Sequence, residues 1–359
     1  MVPVSHADVL RLGATTGDMA GIGPEVLLKA LTLTGMALRA RVEVFVGEAV
    51  LPWLQAHFVA AGLPLTAAPL GPGVVLRAVP VPSHLEPAVP LAGHSTTASR
   101  AQAFAALDAL AAAALAGEVD VLVTGPSPKG IFDHLQPRPP GQTEFLAARM
   151  QAPRFAMMLA GPRLRVVPVT THVPLRNVPD LLTIAGIVDC GRAAAEALAL
   201  WLDVPAPRLA VTGLNPHAGE GGRLGDEEAR IIAPAVAALR DHGIDAEGPV
   251  VADTVFYRAL TGRYDAVLCM YHDQALGPLK TVHFHDGFNL TCGLPVPRIS
   301  PDHGTAYDIA GQGIADPASM VQTLLQAERM AAARRRSATT ERWKTKGFVT
   351  DSNREGGLP

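Results

Sequence analysis

Cysteine is scarce. Cys190, Cys269 and Cys292 are the only three in 359 residues, and no two stand in a C-x-x-C spacing. That excludes a disulfide framework and a cysteine-rich zinc module, and it predicts a reducing, cytoplasmic setting. No run of about 18 uninterrupted apolar residues occurs, which argues against a membrane-spanning helix. The Ala-rich stretch 101–116 is shorter and contains Gln102 and Asp108. An excess of charge is missing too. Lys plus Arg is 30 and Asp plus Glu is 33, for a net charge of -3, so the chain has no global footprint for nucleic acid. Residues 1–11 lack the charged-then-apolar order of a secretory leader. No internal repeat with a period of about 20–50 residues is visible.

Apolar residues make up 48% of the chain, enough for a real core. At roughly 100–200 residues per domain, the length suits two domains or one large α/β unit. Short apolar runs at 10–14, 42–46, 119–123, 164–169, 209–212 and 266–270 do not alternate with polar residues. Such runs suit strands buried on both faces of a sheet. Ala/Leu-rich helical stretches lie between some of them, at 24–33, 51–61 and 97–115. Strands alternating with helices imply an α/β fold with a largely parallel sheet. Segment 67–94 has weak periodicity and either wanders between domains or extends the sheet. After Met330 the texture turns basic, with Arg334, Arg335, Arg336, Arg342, Lys344 and Lys346, then Ser, Asn and Gly. This predicts a catalytic unit over 1–330 made of two α/β subdomains around a cleft. A basic, disordered tail over 331–359 would follow.

Three histidines share one structural place. His172, His217 and His272 each follow an expected strand, in Thr170-Thr171-His172, Asn215-Pro216-His217 and Tyr271-His272-Asp273. Ligands of open α/β sheets bind outside the carboxyl ends of the strands. One histidine there is ordinarily a hydrogen-bonded turn residue. Three together suit zinc or another divalent metal. Asp253 and Asp273 are nearby candidates for an oxygen ligand or a base. The His283-x-His285 pair is a rival ligand set, read here as solvated.

Four further segments surround them. Thr16-Gly17-Asp18-Met19-Ala20-Gly21-Ile22-Gly23-Pro24 is either a tight strand-to-helix turn or an anion-binding helix start; it is neither G-x-G-x-x-G nor a phosphate loop. In Thr124-Gly125-Pro126-Ser127-Pro128-Lys129-Gly130, Lys129 either meets an anion or is solvated. Gly141-Gln142-Thr143-Glu144 opens a helix, where Thr143 either caps or holds a carboxylate or phosphate. Lys280, Asn289 and Arg298 suit an anionic substrate, since arginine grips phosphate or carboxylate with a fork of donors. Last, Asp302-His303-Gly304-Thr305-Ala306 has the small residues that admit a flat ring against backbone.

In family order over about residues 10–330, these segments resemble the 4-hydroxythreonine-4-phosphate dehydrogenase family of vitamin B6 biosynthesis. Gly213-Leu214-Asn215-Pro216-His217-Ala218-Gly219-Glu220-Gly221-Gly222 is its most specific stretch. The resemblance implies a two-domain α/β/α sandwich like isocitrate and isopropylmalate dehydrogenases, working as a homodimer with its active site between subunits. It implies that His172, His217 and His272 bind a divalent metal (zinc, magnesium or cobalt). Gln142, Thr143, Lys280, Asn289 and Arg298 would hold the phosphorylated substrate, and His303, Gly304 and Thr305 would lie beside NAD or NADP. The reaction implied is oxidation of 4-phosphohydroxy-L-threonine to a 3-oxo acid that loses carbon dioxide to give 3-amino-2-oxopropyl phosphate, with Asp253 or Asp273 as base.

Two departures stand out. Where the family motif reads Gly-His-Thr-Glu-Phe, this chain has Gln142, which is neutral at every pH. Met19 stands in place of a common proline. The alternatives are a paralogue acting on erythronate 4-phosphate, threonate 4-phosphate or a cis-dihydrodiol, and a metal-dependent hydrolase or lyase.

Overall fold

The computed structural model describes residues 9–34, 38–63, 73–81 and 91–339. Its strands are β1 (Arg11–Thr15), β2 (Arg41–Gly47), β3 (Gly73–Val79), β4 (Val121–Thr124), β5 (Ala156–Ala160), β6 (Arg165–Pro168), β7 (Arg208–Thr212), β8 (Asp245–Val250), β9 (Ala266–Cys269), β10 (Phe288–Cys292) and β11 (Arg298–Pro301). The helices are α1 (Gly23–Thr34), α2 (Leu51–Ala60), α3 (Thr97–Leu115), α4 (Gln142–Arg149), α5 (Val178–Leu181), α6 (Ile184–Trp201), α7 (Ala233–Asp241), α8 (Ala252–Leu260), α9 (His272–Val282) and α10 (Ala318–Thr339).

All eleven strands form one sheet in the order β3-β2-β1-β4-β11-β10-β5-β6-β9-β7-β8. Pairing is parallel on both flanks and antiparallel at β11–β10, β10–β5 and β5–β6. The sheet is thus largely parallel, as its unbroken apolar runs predict. Two parallel blocks run in opposite senses around an antiparallel centre. The segment left open between wandering and sheet contributes β3, which extends the sheet at its edge; residues 67–72 and 82–90 of that segment lie outside the described residues.

Burial on both faces explains the continuous runs. Neighbours in sequence on β6, β7 and β9 enter different clusters. Val166, Ala210 and Val267 pack under α8 and α9, while Val167, Val211 and Leu268 join the main core. Local signals set the helix starts. Thr96 caps α3 by accepting from the Ser99 N–H at 3.1 Å while Ser99 Oγ accepts from the Thr96 N–H at 3.0 Å. This reciprocal box satisfies two orphan donors. Thr183 does the same for α6 on one side, accepting from the Gly186 N–H.

The basic tail is corrected at its start. Helix α10 continues through Thr339 and packs on α1 in one half and α6 in the other. The reason is ionic. Arg335 donates to the buried Asp120 carboxylate through Nε at 3.1 Å and Nη2 at 2.6 Å, and Arg336 reaches Asp203. Residues 340–359, with Arg342, Lys344 and Lys346, lie outside the described residues.

Candidate active site

Strands β6, β9 and β7 are adjacent and parallel. His172 follows β6, His272 opens α9 just after β9, and His217 follows β7, so the three histidines leave the same end of three neighbouring strands. His172 and His272 face each other, with ring centroids 5.7 Å apart, across a cleft of about 270 Å³ lined also by Thr171, Leu175, Tyr271 and Asp273. A larger cavity along α3, about 660 Å³, has a mostly apolar floor of Ala101, Phe104, Ala105, Ala109 and Ile131 and none of the three histidines.

Of this pair, His172 is the imidazole whose surroundings favour the neutral form. Burial is the main cause holding the His172 pKa below its ordinary value; the charges of Lys129 and His272 add to it, and Glu144 opposes. A neutral imidazole can donate a lone pair. His272 Nδ1 lies 2.7 Å from Asp273 Oδ1. A carboxylate there fixes the tautomer and leaves Nε2 free, the usual arrangement behind a ligating histidine. His217 is exposed and stands apart: among the described residues no three His, Cys, Asp or Glu side chains form a metal-sized group.

The His217 loop is unusual. His217, Ala218, Gly219, Glu220 and Gly221 have φ of 52, 52, 79, 44 and 67°, a full left-handed turn. Each non-glycine residue in that conformation costs roughly 1–2 kcal/mol. Neighbouring contacts must therefore hold it.

The anion-binding candidates converge from three elements. Arg298, at the start of β11, is fully enclosed. It donates to Thr124 Oγ1 at 2.8 Å, Thr291 Oγ1 at 3.2 Å and Gln142 Oε1 at 2.8 Å. All three acceptors are uncharged. Burial pushes its pKa down to about 10, against the attraction of Glu144. Thr143 is buried in the first turn of α4. Asn289 Oδ1, on β10 opposite Ser300 of β11, is buried with no hydrogen-bond partner among the described residues, an acceptor suited to a ligand contact. Lys280 behaves differently: its Nζ binds the carbonyl and the carboxylate of Asp302, tying α9 to the segment that carries His303.

On the proposed cofactor side, His303 Nε2 is also buried and unpartnered. Gly304 has open space where a side chain would stand. The Thr305 carbonyl accepts from the Ile22 N–H at 2.9 Å. The glycine turn is closely packed. A Cβ on Gly17 or Gly23 would strike the backbone of Pro126 or Thr16, and one on Gly21 would lie 2.7 Å from the Thr305 oxygen. The sequence reading missed Asp18. Buried in that turn, it accepts from the Ala20 N–H, Ser95 Oγ and Tyr307 Oη. Its single signal was a carboxylate inside an otherwise apolar, glycine-rich run.

Of the two candidate bases, Asp273 lines the cleft. Asp253 is exposed in the first turn of α8, after the edge strand β8. The rival histidines are absorbed structurally: buried His283 sits between Asp286 and the Arg163 N–H, and exposed His285 pairs with Asp316.

Residues 68–327 match the family model described as "Pyridoxal phosphate biosynthetic protein PdxA". The chain belongs to the PdxA family. A curated member from Erythrobacter litoralis, named 4-hydroxythreonine-4-phosphate dehydrogenase, is 45% identical over 330 residues, covering 90% of this chain and 97% of that one. The crystal structure of the dehydrogenase of the same name from Klebsiella pneumoniae superposes with a TM-score of 0.79 at 37% identity, covering 90% and 98%. A terephthalate 1,2-cis-dihydrodiol dehydrogenase from Burkholderia xenovorans is more distant, with a TM-score of 0.63 at 29% identity and coverage of 88% and 98%. The PdxA resemblance seen in the motifs is therefore borne out along the chain.

Proposed function

We propose that this PdxA-family chain oxidises 4-phosphohydroxy-L-threonine to a 3-oxo acid, which decarboxylates to 3-amino-2-oxopropyl phosphate in pyridoxal phosphate biosynthesis. The observation that carries this reading is Arg298: a buried guanidinium held by three uncharged oxygens, within the electrostatic reach of the α4 residue that also acts on His172. A buried cation without a carboxylate in contact calls for an anion. An acidic, phosphorylated substrate supplies one.

Gln142, Thr143, Lys280 and Asn289 would complete the substrate side with Arg298. His172, His272 and His217 would hold the divalent metal. When bound, the metal supplies Lewis-acid polarisation of the substrate alcohol, and NAD or NADP at His303, Gly304 and Thr305 supplies the two-electron acceptor. Lys129 adds positive potential at the cleft. Asp273 orients His272 and is the carboxylate placed to receive the alcohol proton; its exposure gives that proton a path to solvent.

The working unit is a homodimer with the cleft at its interface. In support, Leu175, Leu181 and Ile184 beside the cleft are 66, 50 and 41% exposed, apolar area that a second copy would cover. No helix among the described residues is long and apolar enough to cross a membrane, and a cytoplasmic setting fits the three free cysteines.

The test is reduction of NAD and NADP, followed by absorbance, with purified protein, a divalent metal and 4-phosphohydroxy-L-threonine, with a chelator control. Rapid, chelator-sensitive reduction is expected. Its absence in folded, metal-loaded protein would overturn the substrate assignment, and erythronate 4-phosphate and threonate 4-phosphate would be assayed next.

A further inference from the structure

The left-handed turn that carries His217 is propped by a carboxylate with no role in the chemistry above. Glu228 is 5% exposed. It projects from a π-helical turn, Glu228–Ile232, a feature often found beside functional sites. Its Oε1 accepts from the Leu214 N–H at 2.8 Å and the Asn215 N–H at 2.7 Å, and its Oε2 accepts from Asn215 Nδ2 at 3.0 Å. The carboxylate also fills the throat of the turn. A Cβ on Gly219 would lie 2.7 Å from Glu228 Oε2, and one on Gly213 would lie 3.1 Å from Oε1. Both glycines are thus needed to admit this side chain. Glu227 accepts from the same Asn215 amide at 2.7 Å.

A second link runs from this loop to the other histidines. Gln274 Oε1 accepts from Thr212 Oγ1 and from the Met270 N–H, and its Nε2 donates to the Gly213 carbonyl at 2.8 Å. Gln274 stands two residues after His272. The base of the His217 loop is therefore pinned to the helix start that presents His272. What remains free is the turn itself, and Glu228 occupies it.

We propose that Glu228 is a positioning residue for His217: its carboxylate holds the left-handed turn in place and so sets the affinity of the chain for a divalent metal. This rests on the reading of His217 as a metal ligand. Backbone in this conformation relaxes once its support is removed, because right-handed alternatives are favoured at His217, Ala218 and Glu220. Supports behind a ligating histidine typically govern metal affinity by 10–100-fold.

The experiment is a double-mutant cycle on the full-length protein, reading Zn²⁺ affinity by competition with a chromophoric chelator. The variants are Glu228→Ala, Glu228→Gln, His217→Ala and the doubles. Glu228→Ala is expected to weaken Zn²⁺ binding by about 10-fold or more. Glu228→Gln keeps one oxygen for the two backbone N–H groups and should fall between wild type and alanine. In the His217→Ala background neither Glu228 change should weaken binding further, because Glu228 acts only through that imidazole. Wild-type affinity in Glu228→Ala, or a further loss in the double variant, would overturn the proposal while leaving His217 a ligand. Wild-type affinity in His217→Ala would instead remove the ligand assignment. Should Glu228→Ala not fold, the same cycle is read with Glu228→Gln.

Discussion

Arg298 Nη2 donates to Gln142 Oε1 at 2.8 Å, and Gln142 Nε2 donates in turn to the Gly125 carbonyl at 3.1 Å. The amide is oriented at both ends. Its oxygen is committed to the guanidinium, so this position neutralises nothing and leaves the charge of Arg298 available to an anion. Gln142→Glu keeps the shape and adds a negative charge beside that arginine. The buried pair so formed should raise the melting temperature. It should also compete with the acidic substrate, raising KM at least about tenfold (~1.4 kcal/mol). Unchanged KM with a raised melting temperature would show that the substrate anion lies elsewhere.

Asp18 and Tyr307 make the corresponding link on the cofactor side. Tyr307 Oη donates to Asp18 Oδ2 at 2.8 Å, and burial raises the phenol pKa, so it stays protonated and able to donate. Tyr307→Phe removes one hydrogen bond to a charged acceptor and should cost about 1–3 kcal/mol of stability. Because the bond ties the 303–307 segment to the glycine turn, KM for the nicotinamide nucleotide should rise more than KM for the phosphorylated substrate. Steady-state kinetics with each substrate varied in turn would check the split. Equal increases would mean that the segment does not meet the cofactor.

His172→Ala removes one imidazole of the facing pair. Turnover should vanish, and the far-UV spectrum and melting should change little, since the cleft side of the ring has no hydrogen bond to lose within the fold. Dialysis of the wild type against a chelator should have the same effect, reversed by zinc, cobalt or magnesium. Turnover at the wild-type rate in the variant would refute the metal assignment.

The fold was legible where one physical signal dominated. Strands β1, β6, β7 and β9 are short apolar runs, β2 is one interrupted only by the buried Glu43, and α3 begins at a capping threonine; each lies within a residue or two of its expected span. Strands β5, β8, β10 and β11 were not foreseen. β10 and β11 mix Asn289, Thr291, Arg298 and Ser300 with apolar residues, as befits an antiparallel centre that carries the candidate site; β8 is interrupted by Asp245, Glu247 and Gly248; β5 is a wholly apolar run of five that was not singled out. The placement of His172 and His272 followed from counting residues past strand ends. The left-handed turn that carries His217 did not, because it packs around a buried carboxylate eleven positions further on. No local pattern announces such a contact. The helical continuation beyond Met330 was hidden for a related reason: Arg334, Arg335 and Arg336 look like a solvated run until Asp120 and Asp203 are brought beneath them.

Adjacent arginines of α10 should then behave unequally. Arg335 meets Asp120, whose side chain is 7% exposed, whereas Arg336 meets Asp203 with both side chains more than half exposed. Breaking a buried pair strands a charge and costs about 3–5 kcal/mol; a surface pair contributes about 0–1 kcal/mol. Arg335→Ala should lower the denaturation midpoint clearly, and Arg336→Ala should leave it almost unmoved. Comparable losses would mean that α10 is held by its apolar face alone.

The three thiols give the pH prediction. Cys269 and Cys292 are wholly buried, and burial drives both pKa values upward. Cys190 is pushed up to about 12, by burial first and by Asp189 second. At pH 8 the thiolate fraction of Cys190 is ~10⁻⁴, so the native protein should resist alkylation at all three sites, while urea-unfolded protein should take up three equivalents. Linkage fixes the sign of the stability effect. Above about pH 9 an unfolded thiol loses a proton that the folded state retains, so the unfolded state binds fewer protons and stability falls as pH rises. The contribution is complete below pH 9 and is lost between there and about 12, at up to ~1.4 kcal/mol per pH unit for each thiol. Urea midpoints measured at pH 7.5 and 10.5 should therefore drop less for Cys190→Ala than for the wild type. Equal drops would show that Cys190 ionises as readily in the fold as out of it, contrary to its partly buried place on α6.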